Sequence, residues 1–185
     1  MTHSTQRGFT LVEVLVALSL FSVLMVVVSG VFINMSRLHQ TTVNLQRLQS
    51  EGRYIVEKLA RDIRTRQLVY PLAAANPQDE LHFFSDLNGE TLTVRHTDRD
   101  SDGILDTITY DIDGQTAPLN AADVDIAEVS FFVAPTRADQ WGEVPISNRQ
   151  PRVTVRLKLR NHGVRPDYMQ TFEVQTTISS KLYVR

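Results

Sequence analysis

The sequence predicts an α+β protein: one long N-terminal helix, membrane-spanning in its first half, packs through its second half against an antiparallel β-sheet. Three observations carry that expectation. No residue from Val14 to Ile33 is charged; apolar residues then recur at helical spacing as far as Ile63; and beyond Pro71 the pattern changes to period two, with turn residues between the runs.

Composition narrows the classes. The chain of 185 residues carries 19 basic and 21 acidic side chains, a formal net charge of −2, without the basic excess of a nucleic-acid binder, so no nucleic-acid partner is expected. Cys is absent, which removes disulfides, zinc–thiolate sites and thiol nucleophiles. Burial, backbone pairing, assembly or a hard cation must supply the stability.

The charge-free run VLVALSLFSVLMVVVSGVFI covers on the order of 30 Å as a helix, the thickness of a bilayer's hydrocarbon core. It is too long for the apolar part of a signal peptide, and a helix buried in a soluble core would rarely stay uncharged for so long. Before it stands a polar stub, MTHSTQRG, whose Arg7 favours a cytoplasmic N-terminus. One charge, Glu13, interrupts the apolar face about one turn after Phe9. A carboxylate in lipid costs several kcal/mol unless it is paired, which makes Glu13 a functional candidate.

The string Arg7-Gly8-Phe9-Thr10-Leu11-Val12-Glu13 resembles the prepilin cleavage and methylation motif of type IV pilins and type II secretion pseudopilins. The resemblance implies that a membrane aspartyl peptidase, the prepilin peptidase, cuts between Gly8 and Phe9 and methylates the new amine of Phe9. It also implies that Glu13 pairs with the terminal amine of a neighbouring subunit during assembly. The physics agrees, because a cation and an anion that are each costly in lipid relieve one another across two helices. One departure stands out: many major pilins have a kinking Pro about twenty residues into the mature chain, where this sequence has Ser29-Gly30. Gly weakens a helix by about 1 kcal/mol relative to Ala but removes no hydrogen bond, so no fixed kink is expected.

Past the span, Leu38, Leu45, Leu48, Ile55, Leu59 and Ile63 form one stripe, with Arg47, Glu51, Arg53, Glu57, Lys58, Arg61 and Asp62 on the other faces. The pairs Glu57–Arg61 and Lys58–Asp62 have the spacing that supports a helix. The spacing predicts one helix from Phe9 to about Gln67, leaving through Leu68-Val69-Tyr70-Pro71. The segment Ser50 to Arg64 (SEGRYIVEKLARDIR) also resembles the helix end of PilW-type minor pilins and J-type minor pseudopilins, which implies a minor subunit.

In the second half, Leu81–Ser85 and Thr91–Thr97 flank Asp86-Leu87-Asn88-Gly89 as a hairpin, and Ile104–Tyr110 is a short strand ended by Asp113-Gly114. Val124–Ala134 is a longer strand. Residues 135–151, with Pro135, Trp141, Pro145 and Pro151, form a surface loop. Arg152–Arg160 alternates cleanly, Val153, Val155, Leu157 and Leu159 facing one way and Arg156 and Lys158 the other. Asn161-His162-Gly163 turns the chain into a last strand region over Met169–Val184. One-sided alternation is what a sheet packed on an amphipathic helix requires.

One loop has cation chemistry. In DRDSDGILD, Asp98, Asp100, Asp102 and Asp106 stand at positions 1, 3, 5 and 9 of a calcium loop, Gly103 permits the sharp turn, and Ile104 offers its carbonyl. The usual closing Glu is replaced by Thr109, with Asp111 or another loop left to complete the shell. A bound Ca2+ in a stabilising role and a solvated acidic turn are the two readings. His3, His39, His82, His96 and His162 are scattered and read as surface or turn residues; no phosphate loop, dinucleotide fingerprint or nucleophile elbow occurs, so no enzyme is expected.

The expected organisation is a leader over 1–8, a transmembrane half-helix over 9–33, an amphipathic half-helix over 34–70 and an extracytoplasmic β-sheet domain over 71–185. The expected protein is a minor pilin or pseudopilin, a structural subunit that helps initiate or cap a type IV pilus or a type II secretion pseudopilus. It sits first in the inner membrane by a single pass and then in the filament. Its partners are the prepilin peptidase, other subunits contacted through the N-terminal helix, and membrane lipid. The competing reading is a signal-anchored extracytoplasmic receptor or enzyme.

Overall fold

A computed structural model of the chain describes residues 8–69, 77–85, 89–134, 150–162 and 169–180. The expectations for most of the polar stub, for Tyr70 and Pro71, for the Asp86–Asn88 hairpin tip, for the Trp141 loop and for Gly163 lie outside these residues. Among the described residues one helix, α1 (Leu11–Thr65), is followed by eight strands: β1 (Gln67–Val69), β2 (Glu80–Phe84), β3 (Thr91–Thr97), β4 (Thr107–Ile112), β5 (Gln115–Pro118), β6 (Val124–Ala134), β7 (Arg152–Asn161) and β8 (Thr171–Ser179). The fold is α+β, as expected. Two compact units divide it, Met1–Thr42 and Val43–Arg185.

In the first unit the helix is exposed from Leu11 to Gln40, with Leu11, Leu20, Val26 and Phe32 among its exposed apolar residues. Among the described residues, α1 is the one helix long and apolar enough to cross a membrane. Two of its hydroxyls bond within the helix: Ser19 donates to the Val16 carbonyl and Ser22 to that of Leu18, each at 2.8 Å. Neither leaves an unmet donor in an apolar medium.

In the second unit the stripe of α1 is buried at Leu48, Ile55, Leu59 and Ile63, and Leu38, placed on the same stripe by its spacing, is exposed in the first unit. Among the described residues there are two antiparallel sheets instead of one. The first has the order β1-β2-β3-β4-β5 and the second β6-β7-β8, both simple meanders. They share one core with the helix, in which Phe83, Leu92, Ile108, Phe131, Leu157 and Leu159 are fully buried. The alternation read over Arg152–Arg160 is observed, Val153, Val155, Leu157 and Leu159 lying inward.

Backbone bonds and the side chains of Asn120 and His96 join the sheets. Gln78 and Phe131 exchange both of their backbone bonds, and the Ile126 amide donates to the Asp106 carbonyl at 2.8 Å. Buried Asn120 accepts from the Ile108 amide and donates to the carbonyls of Asp106 and Val124, so a single side chain satisfies three backbone groups at the seam.

Three strand readings change. β1 follows the helix after a single residue, too short for a periodic pattern. β5 is exposed throughout and was unmarked by burial; Asp113 (φ 49°) and Gly114 (φ 87°) turn the chain into it as a two-residue hairpin in the mirror-image turn that Asp-Gly favours. Ile104 and Leu105, expected in a strand, are outside it and about half exposed. Pairing with β3 begins only at Thr107, because Gly103 (φ 87°) and Ser101 (φ 64°) turn the chain before it.

Candidate functional site

Two places hold the sequence-predicted site residues, the start of α1 and the loop before β4. At the helix start, Gly8, Phe9 and Thr10 precede the first helical residue, Leu11. The Thr10 carbonyl accepts the first helical bond, from the Val14 amide at 3.2 Å, which makes Thr10 the N-cap. Its hydroxyl accepts from the Glu13 amide at 3.3 Å. Thr10 and Glu13 thus stand at the first and last places of a Ser/Thr-x-x-Glu capping pattern, a signal the sequence carried and the spacing argument passed over. Glu13 lies in the first turn, where a carboxylate meets the positive end of the helix dipole. Phe9 is 83% exposed and nothing lies within 4 Å of the place a Cβ on Gly8 would occupy.

The acidic loop is partly assembled. Carboxylate oxygens of Asp98, Asp100 and Asp102 lie within 4.8 Å of one another. Asp98 organises the turn: it accepts from the amides of Asp100 (3.1 Å), Ser101 (2.7 Å) and Gly103 (2.7 Å). Burial pulls its acidity toward the neutral form, but the amides of Gly103, Ser101, Asp100 and Asp102 together outweigh that and hold the carboxyl below its ordinary range. Asp102 accepts from the Ile104 amide.

Asp106 is not brought into this group. It is buried, accepts from the Arg99 amide at 3.0 Å, and lies within 4.8 Å of Asp125 and His162 instead. In that second group Asp125 meets His162 at 2.8 Å and also pairs with Arg160 at 3.2 Å. Asp111, offered to complete the shell, is held at 2.6 Å by Arg95 and accepts from the Gly114 amide. Two of the histidines read as surface or turn residues sit half-buried in strands. His82 bonds Thr93 and Glu80, and His96 bonds the Ile126 carbonyl at 2.9 Å. Burial is the largest influence on His96 and lowers its pKa.

A further polar site was missed. Asp62, read as a residue of the solvated face, is buried at 6% exposure, and its carboxylate accepts from the Tyr110 hydroxyl at 3.0 Å. Arg66 approaches at 3.5 Å and Lys58 at 4.0 Å. Burial, and then the Asp62 charge, push the Tyr110 hydroxyl far up from its ordinary pKa. Nothing in the local pattern separates Asp62 from its charged neighbours; the facing Tyr110 on β4 draws it inward. Nearer the start of this unit the helix is fastened by Arg47–Asp123 at 3.0 Å and by Glu51, which accepts from the Ala121 amide at 2.8 Å.

The family model described as the prokaryotic N-terminal methylation motif matches residues 3–29 of the chain. No curated protein and no solved structure matches it.

Proposed function

Since the methylation motif over residues 3–29 supports placing the chain in the type IV pilin-like superfamily, we propose that it is a minor pilin or pseudopilin that helps to initiate or cap a helical filament. The one observation that carries this reading is the join of that motif to an uninterrupted helix, exposed and apolar first, core-forming later. The prepilin peptidase cuts between Gly8 and Phe9 and methylates Phe9. The apolar helix holds the subunit in the inner membrane with its sheets on the extracytoplasmic side. Glu13, a carboxylate with no business in lipid by itself, then pairs with the amine of a neighbouring Phe9 as the helices bundle. Mass spectrometry of the N-terminus from cells with an active prepilin peptidase tests it. An N-methylated Phe9 supports the reading; a retained Met1 leader returns the chain to the class of signal-anchored receptors and enzymes.

The proposal extends to the loop over Asp98, Asp100 and Asp102. Three clustered carboxylates, with the Ile104 carbonyl, are hard oxygen donors suited to Ca2+ in a stabilising role. Asp106 is outside this donor set. Thermal melting with calcium and with chelator decides the matter: a calcium-dependent rise in Tm that Asp100→Asn abolishes supports it, and superimposable melts retire it.

A further inference from the structure

The scissile peptide of the proposed processing step lies immediately outside the helix, and one hydroxyl marks the boundary. Backbone at Gly8, Phe9 and Thr10 has no regular structure, α1 starts at Leu11, and the Thr10 hydroxyl accepts the Glu13 amide that the helix itself leaves without a partner. A peptide wound into a helix has its carbonyl and amide engaged and its faces covered by neighbouring turns, so a peptidase must have it open. Hydrolysis adds water across the Gly8–Phe9 amide, the hydroxyl going to the Gly8 carbonyl carbon and the proton to the Phe9 nitrogen, and the nucleophile needs a clear approach to that carbonyl.

We propose that Thr10 is a positioning residue for processing: by capping α1 it fixes the first helical residue at Leu11 and keeps the Gly8–Phe9 bond in open backbone. The inference rests on the reading that this bond is cut, and goes beyond it by naming what presents the bond. Thr10 acts through the helix and makes no contact with the peptidase in this account. At the membrane edge the alternative to a cap is more helix. An amide without a partner in apolar surroundings favours winding another turn on to the N-terminal end, which draws Phe9 and Gly8 into helical geometry. Gly8 resists that winding as a poor helix former, so cap and glycine act in the same direction.

The test uses the full precursor in detergent micelles with purified prepilin peptidase, comparing the unchanged chain with Thr10→Val, which keeps the branched shape without the hydroxyl, and Thr10→Ser, which keeps the cap. Loss of a cap changes the ratio of open to wound states at the helix start by roughly five-fold. Thr10→Val is therefore expected to lose up to about five-fold in kcat/KM, carried by KM because only the competent fraction binds, with Thr10→Ser close to the unchanged chain. Backbone carbon chemical shifts of Gly8 and Phe9, measured without peptidase, are expected to move toward helical values in Thr10→Val alone. If the unchanged chain is cut after Gly8 and Thr10→Val is cut equally well, or if its shifts stay put, the positioning role is overturned while the processing reading stands. If the unchanged chain is not cut at all, both fall.

Discussion

On the proposed pilin reading, Glu13 carries the assembly chemistry in a single side chain. Replacing it with Ala removes the charge from the apolar face and leaves the span, so Glu13→Ala is expected to insert normally and still lose the leader. Its recovery in sheared filaments should collapse; undiminished incorporation would remove the pairing role. Asp62 and Tyr110 make a second case at this scale. Their hydrogen bond joins a buried carboxylate to a phenol, and bonds to charged groups contribute about 1.5–3 kcal/mol. Tyr110→Phe is expected to lower unfolding stability by about that amount in denaturant titration, since Arg66 and Lys58 stand farther off. A loss under about 0.5 kcal/mol would show the bond to be incidental, as for a typical surface substitution. Glu13 was legible because an isolated charge in an apolar run stands out whatever the fold. Asp62 was not, because its burial depends on a residue forty-eight positions away.

At the scale of elements, Gly52 decides how closely α1 meets the second sheet. A Cβ there would lie 2.9 Å from Cε1 of Phe172 in β8 and 3.5 Å from Cδ1 of Leu159 in β7. Gly is a poor helix former, so Ala should gain about 1 kcal/mol in propensity. Displacing the Phe172 ring opposes that gain, and overpacking costs about 1–3 kcal/mol. Gly52→Ala is accordingly expected to be neutral or slightly destabilising and Gly52→Leu clearly destabilising. In a Phe172→Leu background Gly52→Ala should turn stabilising by about 0.5–1 kcal/mol, a coupling that a double-mutant cycle in denaturant reads directly. Additive effects would mean the ring does not set the approach. Strand edges followed the same division between local and remote causes. Val124–Ala134 was readable from composition, whereas β1 and β5 are strands because β2 and β4 offer them partners.

For the whole molecule, pH exposes what holds the β-rich unit together. His96 has a folded pKa lowered by burial, so its neutral form favours the fold. That contribution is complete above the unfolded value of about 6.5 and is lost as pH falls toward the folded value. Asp98, Asp113 and Asp123 are held below their ordinary range. For Asp98 burial opposes and its turn amides prevail; for Asp113 the amide and hydroxyl of Thr91 act, and for Asp123 the Arg47 guanidinium. Their contribution is present above about pH 4 and lost as pH falls through the depressed values. Tm is therefore expected to be level above about pH 7, to decline below about 6.5 and to decline again below about 4. His96→Gln, which keeps a donor for the Ile126 carbonyl, should remove the first decline and leave the second. A first decline that survives this change would place its cause elsewhere.

The sequence by itself determined the apolar span, the motif around Gly8, Phe9 and Glu13, the amphipathic stripe and the class α+β. These are written in the order of residues along one segment, and hydrophobic periodicity and isolated charge act at short range. Only the tertiary structure decided that the strands divide between two sheets, that Asp106 joins Asp125 and His162 rather than Asp98, and that Asp62 turns inward to Tyr110. In each of these the partner comes from a distant stretch of chain, so what a carboxylate or a strand edge becomes is fixed by which surface the fold brings against it.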